Sequence, residues 1–216
     1  MSSDLTLWGR KNSANVRKVL WTLAELNLSY GHIPLGGSFK GLDDPAYLVL
    51  NPNGKVPTLR DGAIVVWDSH AIVRYLAASY GAGWLWREDP RERAIVDQWT
   101  EWAATTFQPA WIAVFWNVVR MPKARRDDKL IASSVAATLA ALRILDAQLA
   151  GRDYVAGTFS YADIVIGAAM YRWFTMQIER PSLPNLEAWY ALLSQRPAFQ
   201  QAIMVSYAEL VGRSVF

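Results

Sequence analysis

Not one cysteine occurs among the 216 residues. That absence excludes disulfides, thiolate zinc sites and a redox thiol carried by the protein. Histidine is nearly as scarce: His32 and His70 are the only two, too little for a histidine metal site or a Ser-His triad, and both read as structural. A strong excess of one charge is also missing. Lysine and arginine total 22 against 19 aspartates and glutamates, a net of +3, too small a surplus for a nucleic-acid binder. The densest basic stretch, residues 123–129, contains Asp127 and Asp128. No uninterrupted apolar run approaches the ~20 residues of a membrane span. The opening MSSDLTLWGR lacks the basic-then-apolar pattern of an export signal. The expectation is a soluble cytoplasmic protein without metal, membrane or nucleic acid.

What is present suffices for a large core. Hydrophobic residues make up 52% and charged residues 19%, and the length suits one large domain or two small ones. Residues 4–8 alternate as a strand does. Val16, Val19, Leu20, Leu23 and Leu26 recur at helical spacing. Residues 28–33 predict a second strand, and 34–50 a loop with one helical turn near 45–50. Residues 56–60 and 63–67 predict two strands joined by Asp61-Gly62, a strong hairpin signal. A helix over 69–80 ends at Gly81. The order β-α-β-(α)-β-β-α makes a small α/β domain over residues 1–80. Residues 81–92, rich in Gly, Pro and charge, predict a linker. Beyond it the strand signals stop. Helical periodicity over 90–120, 123–150, 160–178, 185–195 and 197–212 predicts an all-α domain over 93–216. Ser160 and Asp163 form a capping box at one helix start, with Phe159 and Ile164 as its hydrophobic staple.

The stretch NPNGKVPTLRDGAIVVWDSHAIVRYL, residues 51–76, holds more turn chemistry than a hairpin needs. Pro57 belongs at a strand start or edge, and an ordinary trans bond is the default for it. A cis bond would turn the Val56 backbone outward as a rail for an extended peptide. Asp68-Ser69 caps a helix well. The same pair suits an α-amino acid end: the helix N-terminus and Ser69 hydroxyl take the carboxylate, and the Asp68 carboxylate takes the ammonium. Rail and clamp within one short hairpin and its following helix describe a site for a small peptide with a free α-amino acid end.

These residues resemble the glutathione-binding half of the glutathione S-transferase family, and FSYADIVIG resembles the capping-box segment of its helical domain. The resemblance covers nearly the whole chain. It implies a thioredoxin-like first domain, an all-α second domain, a cis bond at Val56-Pro57, glutathione as co-substrate and a homodimer with one site per subunit. One departure stands out: relatives more often carry Glu where this chain has Asp68.

A thiol such as glutathione's is mostly protonated at neutral pH, with a pKa near ~8.5. Lowering it by roughly two units takes about 2.7 kcal/mol, within reach of one or two hydrogen bonds to the anion. The loop before the first helix, GRKNSANVRKVL, is where that donor would sit. Ser13 matches the serine of theta-like, delta-like and phi-like classes, and it also reads as an N-cap. Asn15 matches the asparagine of nu-like enzymes, and Asn12 reads as a loop residue. The loop has no Tyr or Cys, which argues against the tyrosine and cysteine classes. Lys40 and Lys55 are candidates for the glycyl carboxylate. The apolar acceptor pocket is assigned to the stripe Phe107, Trp111 and Phe115, with Trp116 and Arg120 beside it; such stripes are usually core, but eleven tryptophans exceed what this core needs. Pro109 predicts a kink there. The resulting expectation is thiolate attack on an electrophilic apolar substrate. A glutathione-dependent disulfide or peroxide reductase is the alternative that Asn15 supports. A non-catalytic glutathione-binding module is a third, against which Ser13 beside an intact clamp argues.

Overall fold

The computed structural model describes residues 4–214. Its first domain is a four-stranded sheet with helices. β1 (Leu5–Trp8) buries Leu5 and Leu7 and leads through a short loop into α1 (Ala14–Glu25), capped by Ser13. β2 (Gly31–Ile33) returns parallel to β1. α2 (Pro45–Leu50) is the turn expected at 45–50, started by Asp44, whose carboxylate accepts from Ala46 N–H at 2.9 Å. β3 (Thr58–Asp61) and β4 (Ile64–Trp67) are antiparallel, in sheet order β2-β1-β3-β4. Their turn sits one residue later than expected. Asp61 pairs with Ile64, so Gly62 and Ala63 make the loop. Gly62 has φ +56° at the first central position, where a primed hairpin turn requires a positive φ. α3 (Ser69–Tyr80) then packs beside α1. Leu5, Leu7, Val16, Val19, Leu23, Leu59, Ile72 and Leu76 form the core between them and the sheet.

The linker is shorter than the 81–92 expected. Asp89 caps α4 (Pro90–Trp102), its carboxylate accepting from Arg91 N–H at 2.8 Å. α4 runs on through a π-type segment (Ala103–Phe107), α5 (Gln108–Phe115) and a second π-type segment (Trp116–Arg120). Pro109 has no N–H and its ring crowds the preceding turn. The wider turn before it accommodates that without breaking the rod. α6 (Asp128–Leu149), α7 (Tyr161–Gly167), α8 (Met170–Thr175), α9 (Pro184–Ser194) and α10 (Pro197–Ala202) complete the bundle. Three expected helices are shorter than periodicity implied. The α-helix expected over 123–150 begins only at Asp128, residues 160–178 split at Ala168-Ala169, and 197–212 is α-helical only to Ala202, followed by turns and a 3-10 turn at Ala208–Leu210. α6 alone among the described helices has the length and apolar composition to cross a membrane; its apolar runs are interrupted, and it packs on α5 and α9.

The bundle's core reaches into the first domain, taking in Trp21, Val73 and Ala77. Trp21 of α1 is fully buried against Phe159 and Phe199, ring centroids 6.0 and 4.8 Å away. Gly167 lets the helices close on it: a Cβ there would lie 2.7 Å from Leu193 and 3.1 Å from the Trp21 ring. Arg196 grips Glu25 with two 2.7 Å hydrogen bonds across the same boundary.

Candidate functional site

The turn-rich residues 51–57 are held from behind by a buried polar network. Asn51, 2% exposed, donates from Nδ2 to the Lys55 carbonyl at 2.7 Å and to Thr58 Oγ1 at 3.1 Å. Tyr47 Oη donates to the same carbonyl at 2.6 Å and meets Thr58 Oγ1 at 2.8 Å. Asn51 Oδ1 accepts from the backbone and side-chain amides of Asn53. Fixing the Lys55 carbonyl fixes the Lys55-Val56-Pro57 corner, whose Val56-Pro57 bond is cis, as the resemblance implied. Trans, the default for a lone X–Pro, is corrected here.

That corner faces the start of α3 across a cavity of about 210 Å³. Asn15, Asn51, Asn53, Lys55, Val56, Pro57, Trp67, Asp68 and Ser69 line it. Asp68 adopts φ +69° and its Oδ1 accepts from the N–H groups of His70 at 2.9 Å and Ala71 at 3.3 Å. The cap therefore occupies Oδ1. Asp68 is exposed while Ser69 behind it is buried. Capping and clamping are compatible in this geometry.

Ser13 is where the helix-start reading put it, with its hydroxyl 3.5 Å from the Val16 N–H. That contact uses the oxygen as acceptor and leaves the hydroxyl hydrogen for another partner. Two buried arginines hold the loop before it. Arg17 Nε donates to the Lys11 carbonyl at 3.2 Å, and Arg172 Nη2 to the Asn12 carbonyl at 2.6 Å. Burial, with Arg17 close by, pushes the Arg172 guanidinium down to about 9. Asn15 lies two residues beyond Ser13 and lines both the 210 Å³ cavity and an adjoining one of about 650 Å³ between β4, α3 and the α4–α5 rod.

The structure brings Asn15, Lys55, Val56, Asp68 and Ser69 together. It does not bring Lys40 to them: Lys40 is exposed, at φ +54° after a short 3-10 turn (Gly37–Phe39), and lines neither cavity. Phe107, Trp111 and Phe115 are 1–3% exposed, inside the helical core. Phe107 stacks on Trp102 at 5.8 Å. They support the wall of the second domain and offer almost no surface to a substrate. Trp116 is 38% exposed, with the Arg120 guanidinium 3.9 Å over its ring. Beside the Ser13 loop an opening of about 350 Å³ is lined by Arg10, Lys11, Asn12, His32, Pro34, Phe39 and Glu209. His32 meets the Gly9 carbonyl at 2.7 Å, a structural role as expected.

Sequence reasoning missed Tyr47, Asn51, Lys18 and Gln108. The signal for Lys18 was its register: it shares an α1 face with Trp21 and Thr22, three and four residues on. Its Nζ lies 2.8 Å from His70 Nε2. Burial, then the neighbouring Lys18 charge, drives the His70 imidazole down to about 2. Burial lowers Lys18 itself to about 7, against the pull of Asp68.

Residues 12–79 match the glutathione S-transferase N-terminal domain and residues 107–197 the C-terminal domain. Glutathione S-transferase GstB of Escherichia coli (strain K12) is 41% identical over 204 residues, covering 93% of this chain and 98% of that protein. The chain belongs to the glutathione S-transferase family. A theta-class family member from Xanthomonas axonopodis pv. citri, solved with glutathione bound, superposes with a TM-score of 0.91 at 49% identity, over 94% of this chain and 99% of that one. Glutathione S-transferase F13 of Arabidopsis thaliana is 33% identical over 207 residues, covering 90% of this chain and 93% of that protein. The mixed sheet with its helices and the helical second domain are the architecture of this family.

Proposed function

We propose that the chain binds glutathione in the 210 Å³ cavity and transfers its thiolate to an electrophile. The observation that carries this reading is the convergence of the Val56 backbone, Lys55, Asp68, Ser69 and Asn15 on one small cavity. The γ-glutamyl ammonium faces Asp68, its carboxylate takes Ser69 and the α3 N-terminus, the cysteinyl backbone pairs with Val56, and Lys55 serves the glycyl carboxylate. Ser13 and Asn15 donate to the sulfur. The thiolate forms the new C–S bond, and the leaving group departs with its electron pair. The apolar acceptor approaches through the opening beside the Ser13 loop, where Pro34 and Phe39 offer apolar surface. A homodimer in the cytoplasm completes the reading.

Ser13→Ala should raise the pKa of bound glutathione and lower turnover more than affinity. Ultraviolet titration of the thiolate in the complex measures this. Unchanged pKa and turnover would transfer the role to Asn15. One observation favours a second reading, a disulfide or peroxide reductase: Asn15, not Ser13, lines the glutathione cavity. A panel of a haloarene, a hydroperoxide and a mixed disulfide separates the two. Asp68→Asn should weaken glutathione by about 1.5–3 kcal/mol, the value of a hydrogen bond to a charged group. Calorimetry should also show it losing the preference for glutathione over the desamino analogue; an undiminished preference would leave Asp68 as a cap only.

A further inference from the structure

Lys18 is, with Arg17, one of two α1 charges hidden at the boundary between the domains. Lys18 is 4% exposed. Its Nζ lies 2.8 Å from His70 Nε2 and 3.1 Å from Asn15 Oδ1, and it hydrogen-bonds Gln108 Oε1. An ammonium has three donors and no acceptor, so each of these neighbours must turn an acceptor towards it. That condition alone sets three orientations. The His70 ring carries its proton on Nδ1. Gln108 presents its oxygen, which sends its Nε2 to Asn15 Oδ1 at 3.1 Å. Asn15 then has its oxygen held by two donors, and its Nδ2 is the end left for the glutathione cavity that it lines.

We infer that Lys18 is a positioning residue of the glutathione site: its buried ammonium fixes the Asn15 carboxamide with Nδ2 towards bound glutathione, and Gln108 makes that orientation depend on the docked helical domain. The inference rests on the glutathione reading above. An amide whose oxygen is tied cannot flip, so the donor is in place before the thiolate forms. A positive charge hydrogen-bonded to the other end of the same amide also favours the anion. Loss of the Lys18 proton undoes both. The free amine keeps two hydrogens and a lone pair for three acceptors, so one of them must turn away.

The ionisable groups around Lys18 are His70 and Asp68 at the start of α3, and Arg74 one turn on, paired with Asp97 and Glu101 of α4. His70 stays neutral through the working range, and Arg74 is already paired. Lys18 is therefore the group that changes charge, near pH 7. The kcat/KM for glutathione, which reports the free enzyme, should carry an alkaline limb there.

The test measures the pKa of bound glutathione by ultraviolet titration, the kcat and KM for glutathione, and the pH profile, in wild type, Lys18→Met, Lys18→Arg and Gln108→Met. Lys18→Met should raise the bound-thiol pKa by about one unit. It should lower kcat about 10-fold with little change in KM, and abolish the alkaline limb. Lys18→Arg keeps the charge at every accessible pH; it should recover a low thiol pKa and also lack the limb. Gln108→Met frees one side of Asn15 and should raise the thiol pKa in part. If Lys18→Met fails to fold, Gln108→Met and the wild-type limb decide the matter. A variant that melts earlier yet leaves thiol pKa and limb as in wild type overturns the inference, because that is what a merely structural lysine would do. Wild type that binds no glutathione overturns the functional reading and this inference together. Binding with an unmoved thiol pKa in Lys18→Met and Gln108→Met overturns this inference alone.

Discussion

A single buried base can set how stability follows pH. His70 is driven from 6.5 to about 2, and Lys18 from 10.5 to about 7, burial being the larger cause in each. Both folded values lie below the unfolded ones. Unfolding therefore takes up a proton at His70 between about pH 2 and 6.5, and at Lys18 between about 7 and 10.5. Stability contributed by each group is lost as pH falls through its window. Urea midpoints of wild type should therefore climb with pH above 7 more steeply than those of Lys18→Met. Parallel profiles would show that Lys18 holds an ordinary pKa. Neither shift was legible in the sequence. A lysine at position 18 looks solvated until a second domain covers it, and His70 was read as structural without the partner that keeps it neutral.

At the scale of elements, motifs that satisfy their own backbone were read correctly. The Ser160/Asp163 box is one. Asp163 accepts from the Ser160 N–H and the Val155 N–H at 2.9 Å each. What the sequence could not show is that Trp189 Nε1, from α9, also donates to it at 3.0 Å. Asp163 is fully buried. Asp163→Asn turns an amide towards donors that need an acceptor, and each buried donor left unsatisfied costs about 1–3 kcal/mol. We expect a loss of about 3 kcal/mol or more, read as a lower denaturant midpoint at unchanged m-value. A loss below about 1 kcal/mol, the scale of an exposed cap, would reduce the box to a local device. Periodicity erred where local and tertiary signals part. Residues 203–212 hold only a 3-10 turn, Ala208–Leu210, and the apolar signal there comes from Ile203 and Leu210, which pack into the bundle without an α-helix.

For the whole molecule, the first domain's small core and the bundle's large one meet at Trp21. Trp21→Ala opens a cavity bordered by both domains, and such truncations cost about 3–5 kcal/mol. The expected outcome is one cooperative calorimetric transition in wild type and a lower, broadened or split transition in the variant. An unchanged single transition would mean that the domains do not depend on that contact.

The sequence by itself determined the order of elements, the two-domain division, the caps at Ser13, Asp68 and Ser160, and the glutathione-binding half. Each of these is local: a periodicity, a turn residue or a cap is satisfied within a few residues of itself. Tertiary structure decided the rest. It sent Phe107, Trp111 and Phe115 into the core, because the faces of α4 and α5 are assigned by what packs on them. Lys40 it left outside the cavity, because a loop's reach depends on where the neighbouring sheet holds it. Asn15 and Lys18 share a turn of α1, but His70 of α3 and Gln108 of the second domain join them only through tertiary packing, which gave a buried ammonium two acceptors that no local pattern supplies.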